Sequence, residues 1–167
     1  GLTGIRLCLA EPVMFRTQMR AILRAAAHGP VRMMWPMITS ISEVRQCLTH
    51  LDTAQRQLTE RGETFGPVSI GCMIEIPSAA MTVGSILKLV DFVSIGTNDL
   101  IQYLLSVDRG DDSVSHLYQP GHPAVLKTLQ HIIRTANRME KGVSICGEMA
   151  GDTVFTRLLL GMGMRRF

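Results

Sequence analysis

Three short apolar runs in this chain each deliver chemically able side chains. The run 68–74 is followed by Glu75, the run 92–96 by Thr97, Asn98 and Asp99, and the run 143–145 by Cys146, Gly147 and Glu148. In a parallel α/β sheet all strand C-termini lie on one face, so these groups are expected to share a rim. Two carboxylates without a histidine partner suit a hard cation such as Mg²⁺, which keeps several waters and completes its shell with substrate oxygens. The pair could instead serve as acid and base in glycoside hydrolysis, but a cysteine has no place in that scheme. Cys146 has no base beside it, so its thiol reads as a proton donor rather than an activated nucleophile. Arg109, if its turn bends back over the rim, offers a planar guanidinium to a phosphate or carboxylate.

Each of these residues also has a plainer reading. Asn98 or Asp99 could cap the next helix, Cys146 could be a buried hydrophobe, and Arg109 could belong to a solvated turn. The five histidines (His28, His50, His116, His122, His131) show no metal spacing and read as surface or capping residues.

The elements that must position the rim follow from periodicity. Residues 5–9 read as a first strand, and Pro12 opens a helix whose apolar face is Phe15, Met19, Ile22, Leu23 and Ala26. Residues 31–38 read as a second strand. Ser40 or Ser42 can cap a helix with Glu43 placed for a capping box, and Val44, Cys47, Leu48, Leu51 and Leu58 form its stripe. The third strand is 68–74, a short helix runs from Pro77 to about Leu89, and the fourth strand is the run ending at Gly96. A helix over 101–107, a polar loop over 115–123, an amphipathic helix from Pro123 and a fifth strand at 143–145 follow. The final helix, 154–160, ends at a Gly161-Met162-Gly163 cap.

Strands alternating with helices five times make the class α/β with a parallel sheet. An open doubly wound sheet can be complete with five strands. A (β/α)₈ TIM barrel needs eight strands and about 250 residues, so 167 residues would be about five βα units of one barrel domain. The stop at Arg165-Arg166-Phe167, where a sixth strand is due, favours the partial barrel. Composition excludes other classes. With 46% hydrophobic and 19% charged residues the chain is neither disordered nor membrane-spanning. A net charge of +3 with scattered basic residues and few aromatics argues against nucleic acid. Four separated cysteines without a CxxC pair suggest free thiols in a reducing cytoplasm, and the chain opens on no signal peptide.

Longer motifs carry a resemblance over essentially the whole chain. They are Ile74-Glu75-Ile76-Pro77-Ser78-Ala79-Ala80, Ser94-Ile95-Gly96-Thr97-Asn98-Asp99-Leu100-Ile101-Gln102-Tyr103 and Val107-Asp108-Arg109-Gly110-Asp111. To these are added Ser115-His116-Leu117-Tyr118-Gln119-Pro120 and Cys146-Gly147-Glu148-Met149-Ala150-Gly151-Asp152. In order, they resemble Enzyme I of the bacterial sugar phosphotransferase system, phosphoenolpyruvate–protein phosphotransferase, a module also found in multiphosphoryl transfer proteins. Pyruvate phosphate dikinase and phosphoenolpyruvate synthase share the strand-end motifs. The Asp-Arg-Gly turn and the His-Leu-Tyr-Gln-Pro loop look more like Enzyme I.

The resemblance implies a phosphoenolpyruvate-binding (β/α)₈ barrel with Glu75 and Asp99 as Mg²⁺ ligands. Asn98 and Asp99 would contact substrate, Arg109 would hold its phosphate, and Cys146 would protonate the pyruvate enolate. It further implies phosphoryl transfer to an enzyme histidine, then to a histidine-containing phosphocarrier protein for sugar uptake, by a cytoplasmic homodimer. Some family features lie outside the chain: the histidine-bearing N-terminal domain, two substrate arginines on earlier strands, and the opening and closing strands. Thr3 stands where family members usually carry a further arginine, and neither Arg6 nor Arg32 takes over its role. Loss of a bidentate phosphate clamp weakens binding, so the piece alone is expected not to turn over. The alternatives are a dikinase or synthase relative and a non-catalytic dimerisation or regulatory module.

Overall fold

Four strands and nine α-helices set the frame. The computed structural model describes residues 1–167. Helix α1 spans Ile5–Ala10, and α2 spans Pro12–Ala25 with proline in its first turn and Phe15, Met19 and Leu23 buried. Strand β1 (Val31–Trp35) leads to α3 (Ile41–Glu60). There the Ser40 hydroxyl accepts the Glu43 N–H at 3.3 Å, and the Glu43 carboxylate accepts the Ser40 N–H at 3.1 Å. This reciprocal box satisfies two N–H groups that a helix start leaves without partners.

Strand β2 (Val68–Ile74) is followed by two short helices, α4 (Pro77–Met81) and α5 (Val83–Leu87). Strand β3 (Phe92–Gly96) runs straight into α6 (Thr97–Leu105). Helix α7 (Pro123–Arg138) buries Val125, Leu129, Ile132, Ile133 and Ala136, the face expected from its spacing. The His122 ring nitrogen caps it by accepting the Ala124 N–H at 3.1 Å. Strand β4 (Gly142–Cys146) and helices α8 (Glu148–Gly151) and α9 (Thr153–Met162) complete the chain.

The four strands are all parallel and lie in the order β1-β2-β3-β4. That order settles the architecture. A doubly wound sheet reverses direction at a switch point, whereas each strand of a barrel lies beside its neighbour in sequence. The fold is an arc of a (β/α)₈ barrel.

Side chains alternate across each strand. Met33, Trp35, Ile70, Cys72, Ile74, Val93, Ile95, Val143 and Ile145 face the helices and join one core of 35 buried residues. The opposite, inward face carries Met73, Ser94, Gly96 and Cys146 toward its C-terminal end. Toward its N-terminal end Phe92 sits between Gly71 and Gly142 in register, with the Arg32 guanidinium 3.7 Å from its ring centre.

Several expectations need correction. Residues 5–9 form α1 rather than a strand, so the sheet has four strands, not five. The reason lies in the spacing: Ile5 is buried and Cys8 and Leu9 pack on the core, while Leu7 is exposed, which is a helical and not an alternating pattern. Strand β1 stops at Trp35, because Pro36 has no N–H to continue a ladder. The helix after β3 begins at Thr97 instead of Ile101, and the segment from Pro77 breaks at Thr82. Gly163 caps α9 at φ 103°, as the glycine pair suggested.

Two substitutions calibrate this frame in chemical denaturation. Leu129→Ala empties a fully buried position and is expected to cost about 2–5 kcal/mol. Ser40→Ala removes the capping acceptor and is expected to cost about 1 kcal/mol.

Candidate functional site

Register builds the site. Ile74 pairs with Ile95, and Gly96 pairs with Cys146, so the ends of β2, β3 and β4 arrive side by side. Glu75 follows β2 directly and is only 7% exposed. Its Oε1 accepts the Met37 N–H at 2.6 Å. Met37 stands at φ 55°, a left-handed conformation that costs a non-glycine residue about 1–3 kcal/mol, and that conformation is the one presenting its N–H to the carboxylate. Burial pushes the Glu75 carboxyl above the usual range; the Met37 N–H opposes the rise, and Asp99, close enough to share a hydrogen bond, adds to it. Gly96 makes room for this carboxyl, since a β-carbon there would lie 2.9 Å from Glu75 Oε2 and 3.1 Å from Met73 Sδ.

Thr97, Asn98 and Asp99 form the first turn of α6. The fully buried Thr97 donates its hydroxyl to the Cys146 carbonyl at 2.8 Å, and Asn98 Oδ1 accepts the Glu148 N–H at 3.0 Å. These bonds clasp the β3 and β4 ends together. They require Gly147, whose φ of 97° disfavours other residues and whose missing β-carbon would collide with Thr97 Oγ1 and lie 2.8 Å from Asn98 Oδ1. The Cys146 thiol is half-buried, in contrast to Cys47 and Cys72 in the core, where burial pushes both thiols up, Cys72 to about 12. All four cysteines are free.

Arg109 does bend back over the rim. Its backbone N–H donates to Gln102 Oε1 at 3.2 Å, and its guanidinium pairs with the Glu148 carboxylate at 3.2 Å. Both side chains are exposed, so the pair is weak and exchangeable. Tyr118 closes this side, its hydroxyl donating to the Asn98 carbonyl at 3.4 Å. Burial pushes the Tyr118 phenol up, with Arg109 opposing and Glu148 and Asp99 adding to the rise.

The structure therefore brings Glu75, Asn98, Asp99, Arg109 and Cys146 to one rim. Three neighbours escaped the residue-by-residue reading. Tyr118 was legible only as part of a family motif, and Met37 acts through its backbone, which no side-chain pattern reveals. Ser94 looks like an ordinary strand residue until β4 is placed beside it.

The family described as PEP-utilising enzyme, PEP-binding domain, matches residues 1–167. The chain belongs to that family. Relatives named phosphoenolpyruvate-protein phosphotransferase match all of the chain, at 55% identity in Cupriavidus necator and 44% in both Bacillus subtilis and Haemophilus influenzae. The chain spans 29% of the C. necator protein's length and 30% of the B. subtilis protein's. The resemblance carried by the motifs is thus borne out. Among solved structures, a citrate lyase from Burkholderia xenovorans LB400 matches with TM-score 0.65 at 20% identity, over 90% of this chain and 48% of that one. An HpcH/HpaI aldolase from Desulfitobacterium hafniense DCB-2 matches with TM-score 0.57 at 19% identity, over 88% and 60%. Such distant likenesses speak for the fold.

The rim of this PEP-binding domain fits a divalent cation in its donor set. Glu75 and Asp99 bring two carboxylates close together, and Asp99 disfavours the ionised form of Glu75. No cluster of three or more His, Cys, Asp or Glu side chains gathers in the structure. Two ligands plus water and substrate oxygens is the arrangement Mg²⁺ prefers over an all-protein cage.

The raised carboxyl makes stability depend on pH. A folded-state pKa above the unfolded value means that the contribution is complete below the ordinary carboxyl range and is lost as pH rises through the raised value. Glu75→Gln keeps an oxygen for the Met37 N–H and cannot ionise. In metal-free buffer its melting temperature relative to wild type is expected to climb as pH rises above the ordinary carboxyl range of about 4. A pH-independent difference in thermal melts would exclude this account.

Proposed function

We propose that this chain is the phosphoenolpyruvate-binding part of a phosphoenolpyruvate–protein phosphotransferase. The observation that carries the reading is the meeting of a buried carboxylate with a half-buried one, an amide, an exposed guanidinium and a half-buried thiol at three adjacent strand ends. Each group answers one demand of the substrate. Glu75 and Asp99 hold Mg²⁺, which when bound supplies positive charge to the phosphoryl and enolate oxygens. Arg109 leaves the weak Glu148 pairing to meet the phosphate, where a guanidinium binds bidentately. Asn98 is fixed by the Glu148 N–H and faces substrate together with Asp99. As the phosphoryl group departs, the thiol of Cys146 gives its proton to the methylene carbon of the enolate, releasing pyruvate.

The names of the relatives support the reaction class, and the family resemblance extends it. The phosphoryl group passes to a histidine of a domain outside residues 1–167, and from there to a histidine-containing phosphocarrier protein serving sugar uptake. The working assembly is a cytoplasmic homodimer, with residues 1–167 forming part of one barrel domain. No helix of the structure is long and apolar enough to cross a membrane.

Two measurements on the full-length protein test this. In calorimetric titration with phosphoenolpyruvate and Mg²⁺, Glu75→Ala and Asp99→Ala are each expected to lose binding more than tenfold, in line with about 1.5–3 kcal/mol for a charge-assisted contact. Undiminished affinity in both would remove the metal assignment. Exchange of deuterium into the methyl group of pyruvate is expected to fall about 10²–10⁴-fold in Cys146→Ala. Normal exchange would refute the donor role.

A further inference from the structure

A thiol that donates to carbon is left as a thiolate, and its surroundings decide how easily that charge is borne. Cys146 Sγ has three hydrogen-bond neighbours: the Ile95 carbonyl oxygen at 3.5 Å, Met73 Sδ at 3.8 Å and the Ser94 hydroxyl at 3.8 Å. The carbonyl and the thioether can only accept, so both oppose a negative sulfur. Ser94 can donate. Its side chain is 6% exposed, and the sulfur is the partner to which its hydroxyl donates. Thr97, by contrast, holds the Cys146 backbone, through the carbonyl at 2.8 Å, and leaves the sulfur alone. Gly96, opposite Cys146 in register, puts no side chain over the thiol.

We propose that Ser94 is a positioning residue for the proton-donating thiol, holding the sulfur at rest and stabilising the thiolate left after donation. The inference rests on the reading of Cys146 as the donor. In the step, the S–H bond breaks and a C–H bond forms at the enolate's methylene carbon. The S–H electron pair stays on sulfur, while the enolate oxygen regains its double bond to carbon as pyruvate forms. The thiolate, held by the Ser94 O–H, then takes a proton from solvent water. A hydrogen bond to a charged partner is stronger than one to a neutral partner, so the Ser94 bond tightens as the charge appears.

The test is the pH profile of iodoacetamide alkylation at Cys146 in the full-length protein, followed on its own peptide by mass spectrometry. In Ser94→Ala the midpoint is expected to rise by about one unit and the rate at neutral pH to fall about tenfold. Ser94→Thr, which keeps the hydroxyl, is expected to restore the wild-type profile. Ser144→Ala, at the register partner of Ser94, is expected to leave it unmoved. Glu75, Asp99, Arg109, Tyr118 and Glu148, the titratable groups on the elements around Cys146, are the same in every variant, so differences report the hydroxyl. Pyruvate deuterium exchange in Cys146→Ala is run beside it. If that exchange collapses while Ser94→Ala keeps the wild-type alkylation profile, the Ser94 assignment is overturned and the donor reading stands. If Cys146→Ala exchanges normally, the donor reading falls and takes this inference with it.

Discussion

Parallel register is the constraint on which everything else in this molecule depends. Pairing Ile74 with Ile95 and Gly96 with Cys146 sets three strand ends level, and only then can residues 75, 98, 99 and 146 meet. A slip of one residue on β3 would turn Ser94 toward the helices and Ile95 toward the rim, because side chains alternate. The register is held from the helix side by the core around Val93, Ile95, Val143 and Ile145. It is also held at the rim itself by the bonds from Thr97 to Cys146 and from Glu148 to Asn98. The site is therefore both a product of the sheet and a part of what aligns it.

How much of this was legible in the sequence differs by element. Long amphipathic helices were plain, since α7 repeats its apolar face through four turns and α3 announces its start with Ser40 and Glu43. The ends of β2, β3 and β4 were plain too, because each is a short apolar run that stops at polar or small residues, whereas β1 stops earlier than its apolar run. Residues 5–9 misled, since five largely apolar residues fit a short helix as well as a strand, and only their packing against the core decides. Periodicity alone allowed two sheet architectures, the family resemblance pointed to the barrel, and the strand order bears that out. At the site, residue types were visible but mutual distance was not. Nothing in the one-dimensional pattern says that Glu148 lies against Arg109, 39 positions away.

Glu75 and Arg109 illustrate two ways of holding a charge ready. Glu75 is buried, constrained by a strained backbone donor and crowded by a second carboxylate, so its ionised form is disfavoured until positive charge arrives. Arg109 sits at the surface with an exposed carboxylate as companion, a contact that an anionic ligand can exchange at small cost. One group gains from what binds, and the other is merely lent out beforehand.

The two faces of the sheet divide their labour cleanly. Most strand residues pointing outward are tied into the 35-residue core, while the inward row near the rim is made of small or flexible residues: Met73, Ser94, Gly96 and Cys146. Alternation thus insulates the chemistry from the scaffold at a spacing of a single residue. A lineage carrying this arc can vary its inward row and explore new substrates while the outward row preserves the fold. The likeness to two solved structures at about one-fifth identity shows that the fold itself accommodates widely different side chains.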